Sequence, residues 1–503
     1  MSDFAHSDER LTSFAELQEQ LAPMFKRIFP DRYAPRMVVV VPSFSLDEEE
    51  LAKISGIHHY EERMLCLLLL LQLPRTKMIY ITSQPIHPSI IDYYLDLLPN
   101  VPSCHARKRL TVLSCHDAAS IPLTEKILAR PRLLQQIRDA ISDRSIAHIT
   151  CFNSTPLERE LALALNIPLY ACDPALSELG SKSGSRHLFR QAGIGFPAGF
   201  EDLHHEDEII QGLVALKEQA PTLRKAVIKL NEGFSGEGNA VFSYDGSPAV
   251  PDLRAWIVEE LPKRIRFEAA TETWVHFREK FTQMGGIVES WIEGENKCSP
   301  SVQCRINPLG EVEMVSTHDQ ILGGPTGQLF LGCSFPAAEV YRLKIQEAGF
   351  KVANILADAG VIGRFAIDFI SVKEGEQWKH YAIEINLRKG GTTHPFLMLH
   401  FLSNGSYNTT DGQYHLSNGD TRYYYASDNL QDDRYKGLSP DDLIDISVCH
   451  DLYFDQVTQQ GVVFHLMGAL SEFGKLGVVC IGHSYEEAER LYQKTVAVLN
   501  QEA

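Results

Sequence analysis

Two segments with alternating side chains place acidic groups on one face of a predicted β-hairpin. Residues 363–370 and 381–386 each alternate apolar with polar or small side chains, the pattern of a strand with one buried face. A polar stretch joins the two segments. If the turn is centred on Glu376, cross-strand pairing sets Asp368 opposite Glu384. The sequence therefore predicts two carboxylates that face each other across a hairpin.

Carboxylates at these positions would repel each other unless a divalent cation lay beside them. Asn386 follows Glu384 by two residues and adds a third oxygen ligand on the same face. Such an all-oxygen set suits Mg2+, or Mn2+, shared with phosphate groups better than it suits zinc. Solvated side chains on an outer sheet face are the competing interpretation. The grouping of Asp368, Glu384 and Asn386, followed by Arg388, favours a metal site.

A glycine-rich loop between two predicted strands offers a place for phosphate groups. Its residues Gly233, Ser235, Gly236 and Gly238 would let backbone N–H groups close over phosphate oxygens. A long hairpin turn would use the same residues, so the loop alone is a weak signal. Lys229, in the apolar strand just before the loop, strengthens it because a lysine there calls for an anion partner. The Gly-Lys-Ser/Thr of a Walker P-loop is absent from this loop.

Asp on one strand and Glu-x-Asn on the next resemble the magnesium hairpin of the ATP-grasp superfamily, whose members use ATP to activate carboxylates and join them to amines or thiols. The longer sequences EINLRKGGTTHP (384–395) and THDQILGGPTGQLFLGCSFPA (317–337) are more narrowly similar to ATP-grasp peptide ligases of the pheganomycin type. The resemblance implies ATP and Mg2+ as cofactors. It also places Lys182 and Lys229 on the ATP phosphates, and Asp368, Glu384 and Asn386 on magnesium.

The segment IVESWIEGEN (287–296) resembles the hinge between the two ATP-grasp subdomains, where backbone groups hydrogen-bond adenine. In related ligases an acidic residue just beyond the hinge binds the ribose hydroxyls, whereas the best-aligned position here is Asn296. The ribose contact is therefore left open between Glu295 and Asn296. Glu289 is predicted on the adenine side. The nucleotide-binding residues expected from this segment are Glu289, Trp291, Ile292, Glu295 and Asn296.

A carboxylate substrate also needs cations besides magnesium. Arg305, in an apolar strand, and Arg388, after the magnesium strand, are predicted to hold the carboxylate or the transferred phosphate by bidentate contacts. For Arg305 a structural salt bridge is an equal alternative. His318, Asp319 and Gln320 form a polar cluster that could help to position substrate. His465 lies in an apolar strand and is predicted as a core residue, and no residue stands out as a general base for the amine.

Strands and helices alternate over residues 36–175, which predicts a parallel sheet with helices on both faces. No Gly-x-Gly-x-x-Gly follows its first strand, so a dinucleotide site is excluded, and the resemblance implies a domain that helps to bind substrate. The predicted fold class is α/β and α+β: a doubly wound pre-ATP-grasp domain, an ATP-grasp fold of two α+β subdomains, and a small C-terminal α+β extension. The boundaries predicted are an N-terminal helical extension (1–35), the α/β domain (36–175), the ATP-grasp domain (176–402, with subdomains 176–292 and 293–402), a polar loop or lid (403–439) and the extension (440–503).

Composition limits the classes of partner. The 503 residues carry a net charge of −18, which argues against non-specific binding to nucleic acid or to an anionic membrane. The most apolar run, 64–73, is too short to span a bilayer and is predicted as a buried helix. Ten scattered cysteines without a Cys-x-x-Cys pair, and no recognisable secretion signal, predict a reduced cytoplasmic protein.

We therefore expect a carboxylate–amine ligase that joins small-molecule substrates, an amino acid or peptide, through an acyl phosphate. Another ATP-grasp chemistry is an alternative, with a thiol acceptor or with phosphotransfer alone. A non-catalytic scaffold with the same fold is a further alternative, although all five residues placed on ATP and magnesium are present. The identity of the substrates is left open, and a homodimer is one assembly to be tested.

Overall fold

The computed structural model describes residues 11–46, 48–52, 54–233, 238–269, 271–324 and 327–503. Three β-sheets organise these residues, and the candidate site lies where they meet.

The first sheet is parallel and has four strands in the order β3-β2-β1-β4. Alternate residues of its strand 36–41 enter two different hydrophobic clusters, with Val38 and Val40 on one face and Met37, Val39 and Val41 on the other. Both faces are therefore covered, as the alternating pattern predicts. Its strands are β1 (Arg36–Val41), β2 (Thr76–Thr82), β3 (Leu110–Ser114) and β4 (Ala147–Cys151).

Helices and turns surround this sheet. The most apolar stretch of the chain forms the buried helix predicted for it, and this helix, Ile57–Gln72, is of the 3-10 type. The α-helices are α1 (residues 11–18), α2 (Leu21–Ile28), α3 (Glu48–Ala52), α4 (Pro88–Asp96), α5 (Ser103–Arg107), α6 (Leu123–Leu128), α7 (Pro131–Ala140) and α8 (Pro156–Leu165). Two further 3-10 segments are Arg144–Ile146 and Pro174–Gly180.

The second sheet is antiparallel and has five strands in the order β5-β9-β6-β7-β8. Its helices pack on it around a separate core that includes Phe242, Phe277 and Phe281. The elements are α9 (Lys182–Gln191), β5 (Gly199–Leu203), α10 (Glu206–Gln219), β6 (Lys225–Leu230), β7 (Asn239–Ser243), α11 (Val250–Arg264), β8 (Arg266–Phe267), α12 (Trp274–Met284) and β9 (Gly286–Ser290). Helix α9 instead joins the core of the third sheet through Leu188 and Phe189.

The third sheet has eleven strands, and its main path runs β10-β14-β11-β12-β13-β18-β17-β16. Strand β15 pairs with β14, β20 with β18, and β19 with β20. The elements are β10 (Glu295–Cys298), β11 (Pro300–Ile306), β12 (Val312–Gly323), β13 (Leu329–Phe335), α13 (Arg342–Asp358), β14 (Gly363–Glu374), β15 (Gln377–Asn386), α14 (Thr393–Leu402), β16 (Gly405–Asn408), β17 (Gln413–Leu416), β18 (Thr421–Gln431), α15 (Pro440–Cys449), β19 (Gly461–His465), α16 (Leu470–Phe473), β20 (Lys475–Gly482) and α17 (Tyr485–Glu502). The 3-10 segments Asp433–Tyr435 and Met467–Ala469 also lie in this part of the chain.

The polar segment 403–439 is not the loop or lid predicted for it, because it contributes β16, β17 and β18 to the third sheet. Its turn signals close short hairpins, at Gly412 and Gly419, which adopt positive φ values of 69° and 92°. Strand β18 pairs with β13 on one side and with β20 on the other. The third sheet therefore continues past residue 402 and incorporates the C-terminal segment.

The hairpin β14–β15 has the predicted pairing, with Asp368 directly opposite Glu384. Its turn is tighter than predicted, because Glu374 already pairs with Gln377. The register then shifts by one residue between Asp368 and Phe369, which leaves Ile383 unpaired in β15. This β-bulge restores the pairing that a turn centred on Glu376 would give.

No helix among the described residues is long and apolar enough to cross a membrane.

Candidate active site

A cleft of about 1440 Å³ opens between the three sheets. Its lining includes Arg63 from the N-terminal domain, Lys229 from the second sheet, Asp368 and Arg388 from the third, and Lys475 from β20. This volume exceeds the range of about 300–1,000 Å³ that is usual for a single small ligand. The cleft therefore has room for more than one substrate.

The hairpin carboxylates lie in this cleft. Asn386 Nδ2 donates hydrogen bonds to Asp368 Oδ2 (3.0 Å) and to Glu384 Oε1 (3.2 Å). Gln320 Nε2 donates to the other oxygen of Asp368, Oδ1, at 2.7 Å. Lys182 Nζ forms an ion pair with Glu384 Oε2. The structure thus brings together four residues predicted for ATP and magnesium, and adds Gln320 to them.

The pKa values of the two hairpin carboxyl groups are shifted in opposite directions. Burial, followed by the charge of Glu384, raises the pKa of Asp368. Burial also opposes ionisation of Glu384, but the cations Lys182 and Lys229 hold its pKa below the usual range. A carboxyl group that is hard to ionise beside another carboxylate is a place where a divalent cation would relieve repulsion.

The donor set fits such a cation. Asp368 and Glu384 supply carboxylate oxygens, and the Asn386 amide supplies its oxygen if the side chain turns over. Among the described residues, no group of three or more His, Cys, Asp or Glu side chains could hold a metal. The protein therefore supplies fewer ligands than a complete coordination shell needs, as expected where phosphate groups complete the coordination.

Lys182 owes its position to the start of helix α9. Ser181 caps the helix by accepting a hydrogen bond from the Gly184 N–H at 2.9 Å. The Lys182 N–H donates to the Asn231 carbonyl (3.1 Å), and Ser183 donates to the Asn231 side chain. The loop that follows β6 is thereby tied to the helix that carries Lys182.

Lys229 lines the cleft, and its anion partner within the protein is Glu289. Lys229 Nζ lies 2.7 Å from Glu289 Oε1, while Arg186 Nη1 lies 3.1 Å from Glu289 Oε2. Both carboxylate oxygens of Glu289 are therefore engaged by cations. The neighbouring strands β6 and β9 place Glu289 opposite Val227, which sets it beside Lys229, and Glu289 also lines the cleft. The adenine contact of Glu289 stays a prediction.

The hinge segment contributes two of its predicted residues, Trp291 and Ile292, to the cleft lining. Lys297, which the sequence analysis missed, also lines the cleft and lies with its Nζ 4.1 Å from the centre of the Trp291 ring. Asn296 is exposed, adopts φ 52° and is absent from the lining, so the structure does not place it as a ribose contact. The side chain of Glu295 lies outside the described residues.

The glycine-rich loop is described only at its two ends. Gly233 and Gly238 approach so closely that a Cβ on Gly233 would lie 3.3 Å from the Gly238 Cα. Gly233 also lines the cleft. The predicted residues Ser235 and Gly236 lie outside the described residues.

The two arginines predicted for substrate occupy different places. Arg388 lines the cleft, where its guanidinium lies 5.7 Å from the centre of the Phe152 ring. Arg305 is absent from the lining, and its side chain forms an ion pair with Glu313 across β11 and β12. For Arg305 the structure shows the alternative interpretation, a structural salt bridge, because the residue lies at the opposite end of β11 from the strand segment that pairs with Asp368.

The predicted cluster 318–320 does not act as a unit. His318 is buried and hydrogen-bonded to the Tyr424 hydroxyl, and burial lowers its pKa to about 3. Asp319 accepts hydrogen bonds from the Ala338 N–H and the Tyr341 hydroxyl. Asp319 and Gln320 both line the cleft, and of the three residues only Gln320 hydrogen-bonds a hairpin carboxylate.

The end of the cleft beyond Arg388 contains charged residues that the sequence analysis missed. Arg63 Nη2 lies 2.5 Å from Asp428 Oδ2, and both residues line the cleft. Behind them, His465 Nε2 lies 2.8 Å from Asp428 Oδ1, so His465 is a buried core residue, as predicted, but a charged group holds it. No local pattern marks these residues, because they come from distant segments of the chain.

Comparison with known proteins identifies related sequences. Residues 174–245 and 253–410 match the family described as IQCH-like, ATP-grasp, and residues 442–495 match the PGM1 C-terminal domain. The chain is 29% identical over 468 residues to L-propargylglycine--L-glutamate ligase of Streptantibioticus cattleyicolor, covering 92% of this chain and 93% of that protein. It is 21% identical to IQ motif-containing protein H of Danio rerio, covering 98% of this chain but 51% of that protein.

Solved structures agree on the fold. The biotin carboxylase domain of Hydrogenobacter thermophilus 2-oxoglutarate carboxylase, solved as a dimer with MgADP, is similar with a TM-score of 0.55 at 13% identity, covering 91% of this chain and 89% of that one. The family match spans β5 to β15, the elements that carry Lys229 and the hairpin carboxylates. Residues 174–245 and 253–410 are thus similar in sequence to an ATP-grasp family, and the chain is similar in fold to the biotin carboxylase domain.

Proposed function

We propose that the protein is an ATP-dependent carboxylate–amine ligase that forms an amide bond and releases ADP and phosphate. The observation that carries the proposal is the pair Asp368–Glu384, set face to face in a large cleft with Lys182 and Lys229 beside it. Two carboxylates with lysines beside them are suited to a nucleoside triphosphate and its metal ion. The 29% identity to a ligase over 92% of the chain supports the same reaction class.

In the first step, a carboxylate oxygen of the acid substrate attacks the γ-phosphorus of ATP. The new O–P bond gives an acyl phosphate, and the bond to the β-phosphate breaks to release ADP. Lys182 and Lys229 would bind the phosphates, and Arg388 would hold the acid or the transferred phosphoryl group by two parallel hydrogen bonds. Catalysis here consists mainly of positioning and charge neutralisation.

Asp368, Glu384 and Asn386 would hold Mg2+ or Mn2+, which neutralises charge on the phosphates when bound. Lys182 forms an ion pair with Glu384 in the structure and would contact phosphate oxygens when the nucleotide is bound. Gln320 orients Asp368 through its hydrogen bond of 2.7 Å.

In the second step, the amine nitrogen attacks the acyl carbon, and the C–O bond to phosphate breaks. Phosphate leaves with the oxygen that came from the acid, and the nitrogen loses a proton. The similar ligase is named for L-propargylglycine and L-glutamate. We propose amino acids or short peptides as the substrates of this chain, with L-glutamate as the first amine donor to test.

We further propose a cytoplasmic protein, supported by ten cysteines that all remain unpaired. A homodimer is the assembly to test first, because a structural neighbour was solved as a dimer. Light scattering on the purified protein distinguishes a dimer from a monomer of 56.5 kDa.

The test of the ligase reaction uses purified protein with ATP, Mg2+ and pooled amino acids and dipeptides. We expect ADP release that requires an acid and an amine together, with a condensed product mass in the same mixture. The Glu384→Gln protein serves as the matched control for contaminating activity. Products with thiols alone would indicate the thioester alternative. ADP release without a condensed product would indicate phosphotransfer, and ATP binding without ADP release would indicate a scaffold.

A further inference from the structure

Three aromatic rings form a row beyond Arg388, and the two outer rings, Phe152 and Tyr60, line the cleft. Phe152 stacks on Phe44 with ring centres 4.2 Å apart, and Phe44 meets Tyr60 edge-on at 5.8 Å. Cations accompany this row, since the Arg388 guanidinium lies 5.7 Å from the Phe152 centre and the Arg63 guanidinium 4.4 Å from the Tyr60 centre. The row therefore leads from the predicted phosphate-transfer region to the far end of the cleft.

Lys475 ends this row. Its Nζ donates a hydrogen bond of 2.6 Å to the Tyr60 hydroxyl oxygen, and both residues line the cleft. Lys475 forms no ion pair with any carboxylate among the residues that the structure describes. Arg63 differs, because Asp428 neutralises it. Lys475 is thus a half-buried cation in a substrate cleft whose only hydrogen-bond partner in the described chain is neutral.

The unused hydrogen-bond donors of Lys475 and Tyr60 indicate an anionic ligand. Lys475 has two further N–H groups, and the Tyr60 hydroxyl keeps its own proton for donation while it accepts from Lys475. No described residue accepts these hydrogens. A carboxylate could accept one hydrogen bond from each residue, and a partly desolvated cation binds such an anion more strongly than an exposed one does.

The pair is also held in place from both sides. Tyr60 is buried between Phe44 and Arg63, and its neighbour Glu62 accepts a hydrogen bond from the Gly468 N–H at 3.0 Å. This contact ties the 3-10 segment of the N-terminal domain to the C-terminal strands that carry Lys475. The N-terminal and C-terminal parts of the chain therefore form this subsite together.

We propose that Lys475 and Tyr60 bind a free carboxylate of the amine-donating substrate, so that the donor is an amino acid or peptide rather than a simple amine. The inference rests on the proposed ligase function. The acid to be activated must lie near Arg388, which is close enough to Asp368 and Glu384 to interact with both charges. The row of rings leads from Arg388 to Lys475, so both residues lie along one cleft in which the acid and the amine donor can bind together.

The test separates the two half-reactions with hydroxylamine. Hydroxylamine carries no carboxylate and traps an acyl phosphate as a hydroxamate, so it reports activation of the acid without the amine-donor subsite. For the acid that supports hydroxamate formation, donor-dependent ADP release is then measured with L-glutamate, the other amino acids and dipeptides. Each productive donor is compared with its carboxamide.

We expect wild-type protein to prefer each donor over its carboxamide by about tenfold or more, as the loss of a charge-assisted hydrogen bond implies. Lys475→Met should lower the ratio of donor-dependent to hydroxylamine-dependent ADP release by a similar factor and remove the preference. Lys475→Arg should restore part of both, and Tyr60→Phe should have a smaller effect of the same kind. Lys494→Met, which changes an exposed lysine of α17, serves as the control.

The outcomes are distinguishable. If wild-type protein forms no hydroxamate with any acid, the proposed function fails, and this inference fails with it. If hydroxamate forms but carboxamides react as well as free carboxylates, or Lys475→Met keeps the wild-type ratio, the ligase function stands and the carboxylate subsite is refuted.

Discussion

The two ends of the cleft differ in how the chain builds them. At the end proposed for the nucleotide, the charged groups come from one hairpin, β14–β15, from the strand before one glycine-rich loop, and from the start of helix α9, which carries Lys182. At the far end, Tyr60 and Lys475 are separated by 415 positions and meet only because β20 joins the third sheet. Short motifs thus supply most of the residues proposed for phosphate binding, whereas long-range assembly supplies the subsite proposed for the amine donor.

This difference predicts how substitutions at each end of the cleft affect the reaction. The nucleotide end depends on the register of one hairpin, in which Asp368 must face Glu384. The far end depends on contacts between the N-terminal domain and the C-terminal strands, such as the buried pair Arg63–Asp428. We therefore expect changes at the first end to abolish ADP release, and changes at the second to alter the choice of amine donor.

The largest effect is expected for Glu384→Gln. Removal of this charge deletes a proposed metal ligand and the partner of Lys182, so acid-dependent ADP release should fall by roughly 10³-fold or more. Initial rates at saturating ATP and Mg2+ are the measurement, with circular dichroism to show that the fold is retained. Glu313→Gln, at the other end of the sheet, is the matched control. Wild-type turnover in Glu384→Gln would remove the metal assignment.

The second effect compares two arginines of similar chemistry. Arg388→Ala should lower turnover by about 10²-fold, because it removes a cleft-lining cation from the region proposed for phosphate transfer. Arg305→Ala should change turnover by less than about twofold, since a partly exposed ion pair such as Arg305–Glu313 is worth about 1 kcal/mol or less. Equal losses in the two variants would contradict the location assigned to the substrate carboxylate.

The third effect concerns Lys229, which has a phosphate role in our proposal and a structural partner in Glu289. Lys229→Met should weaken ATP binding by about tenfold or more and lower the midpoint of thermal unfolding, because the buried Glu289 loses one of its two cations. Calorimetric titration with ATP measures the first change. Adding Glu289→Gln should recover part of the stability but none of the affinity. Recovery of both would mean that Lys229 acts only as a structural partner.

The smallest effect is a pH dependence at His394, which is buried behind Arg63 and hydrogen-bonds to the Arg63 carbonyl. Burial, followed by the neighbouring His465, lowers the pKa of His394 well below its ordinary value of 6.5. The unfolded chain therefore takes up a proton near pH 6.5 that the folded protein excludes. This contribution to stability is complete above pH 6.5 and is lost as the pH falls below it.

Thermal unfolding at several values between pH 7.5 and pH 5 measures this dependence. His394→Asn keeps a donor for the Arg63 carbonyl but cannot titrate, so its unfolding midpoint should fall less steeply with acidification. Identical slopes for the two proteins would show that His394 does not contribute. Loss of stability on raising the pH would contradict the sign.

Sequence predicts the nucleotide end well because its signals are local. Alternation in the hairpin placed Asp368 opposite Glu384, and the apolar strand around Lys229 indicated an anion partner. The pairing was predicted from a turn one position too wide, and the bulge at Ile383 compensates for the difference. Side-chain alternation contains no information about such a bulge, because one extra residue leaves both faces of the strand chemically plausible.

The sequence predicts structure poorly in the regions where pairing between distant strands determines the fold. The polar composition of 403–439 is typical of a loop, yet β18 lies between β13 and β20 and buries Tyr424. Arg305 and Arg388 are both arginines close to strands of the third sheet. Only their positions along the sheet decide that Arg388 lines the cleft while Arg305 forms a salt bridge. These outcomes depend on which strands become neighbours, and residue order alone does not determine that.

Transfer of oxygen from the acid to phosphate tests the central claim most directly. The acid substrate is labelled with 18O in its carboxylate and incubated with ATP, Mg2+ and the amine donor, and the released phosphate is examined by mass spectrometry. Our account predicts one 18O atom in phosphate for each amide formed, because the acyl phosphate breaks at its C–O bond. Amide formation with unlabelled phosphate would contradict activation of the carboxylate by the γ-phosphoryl group.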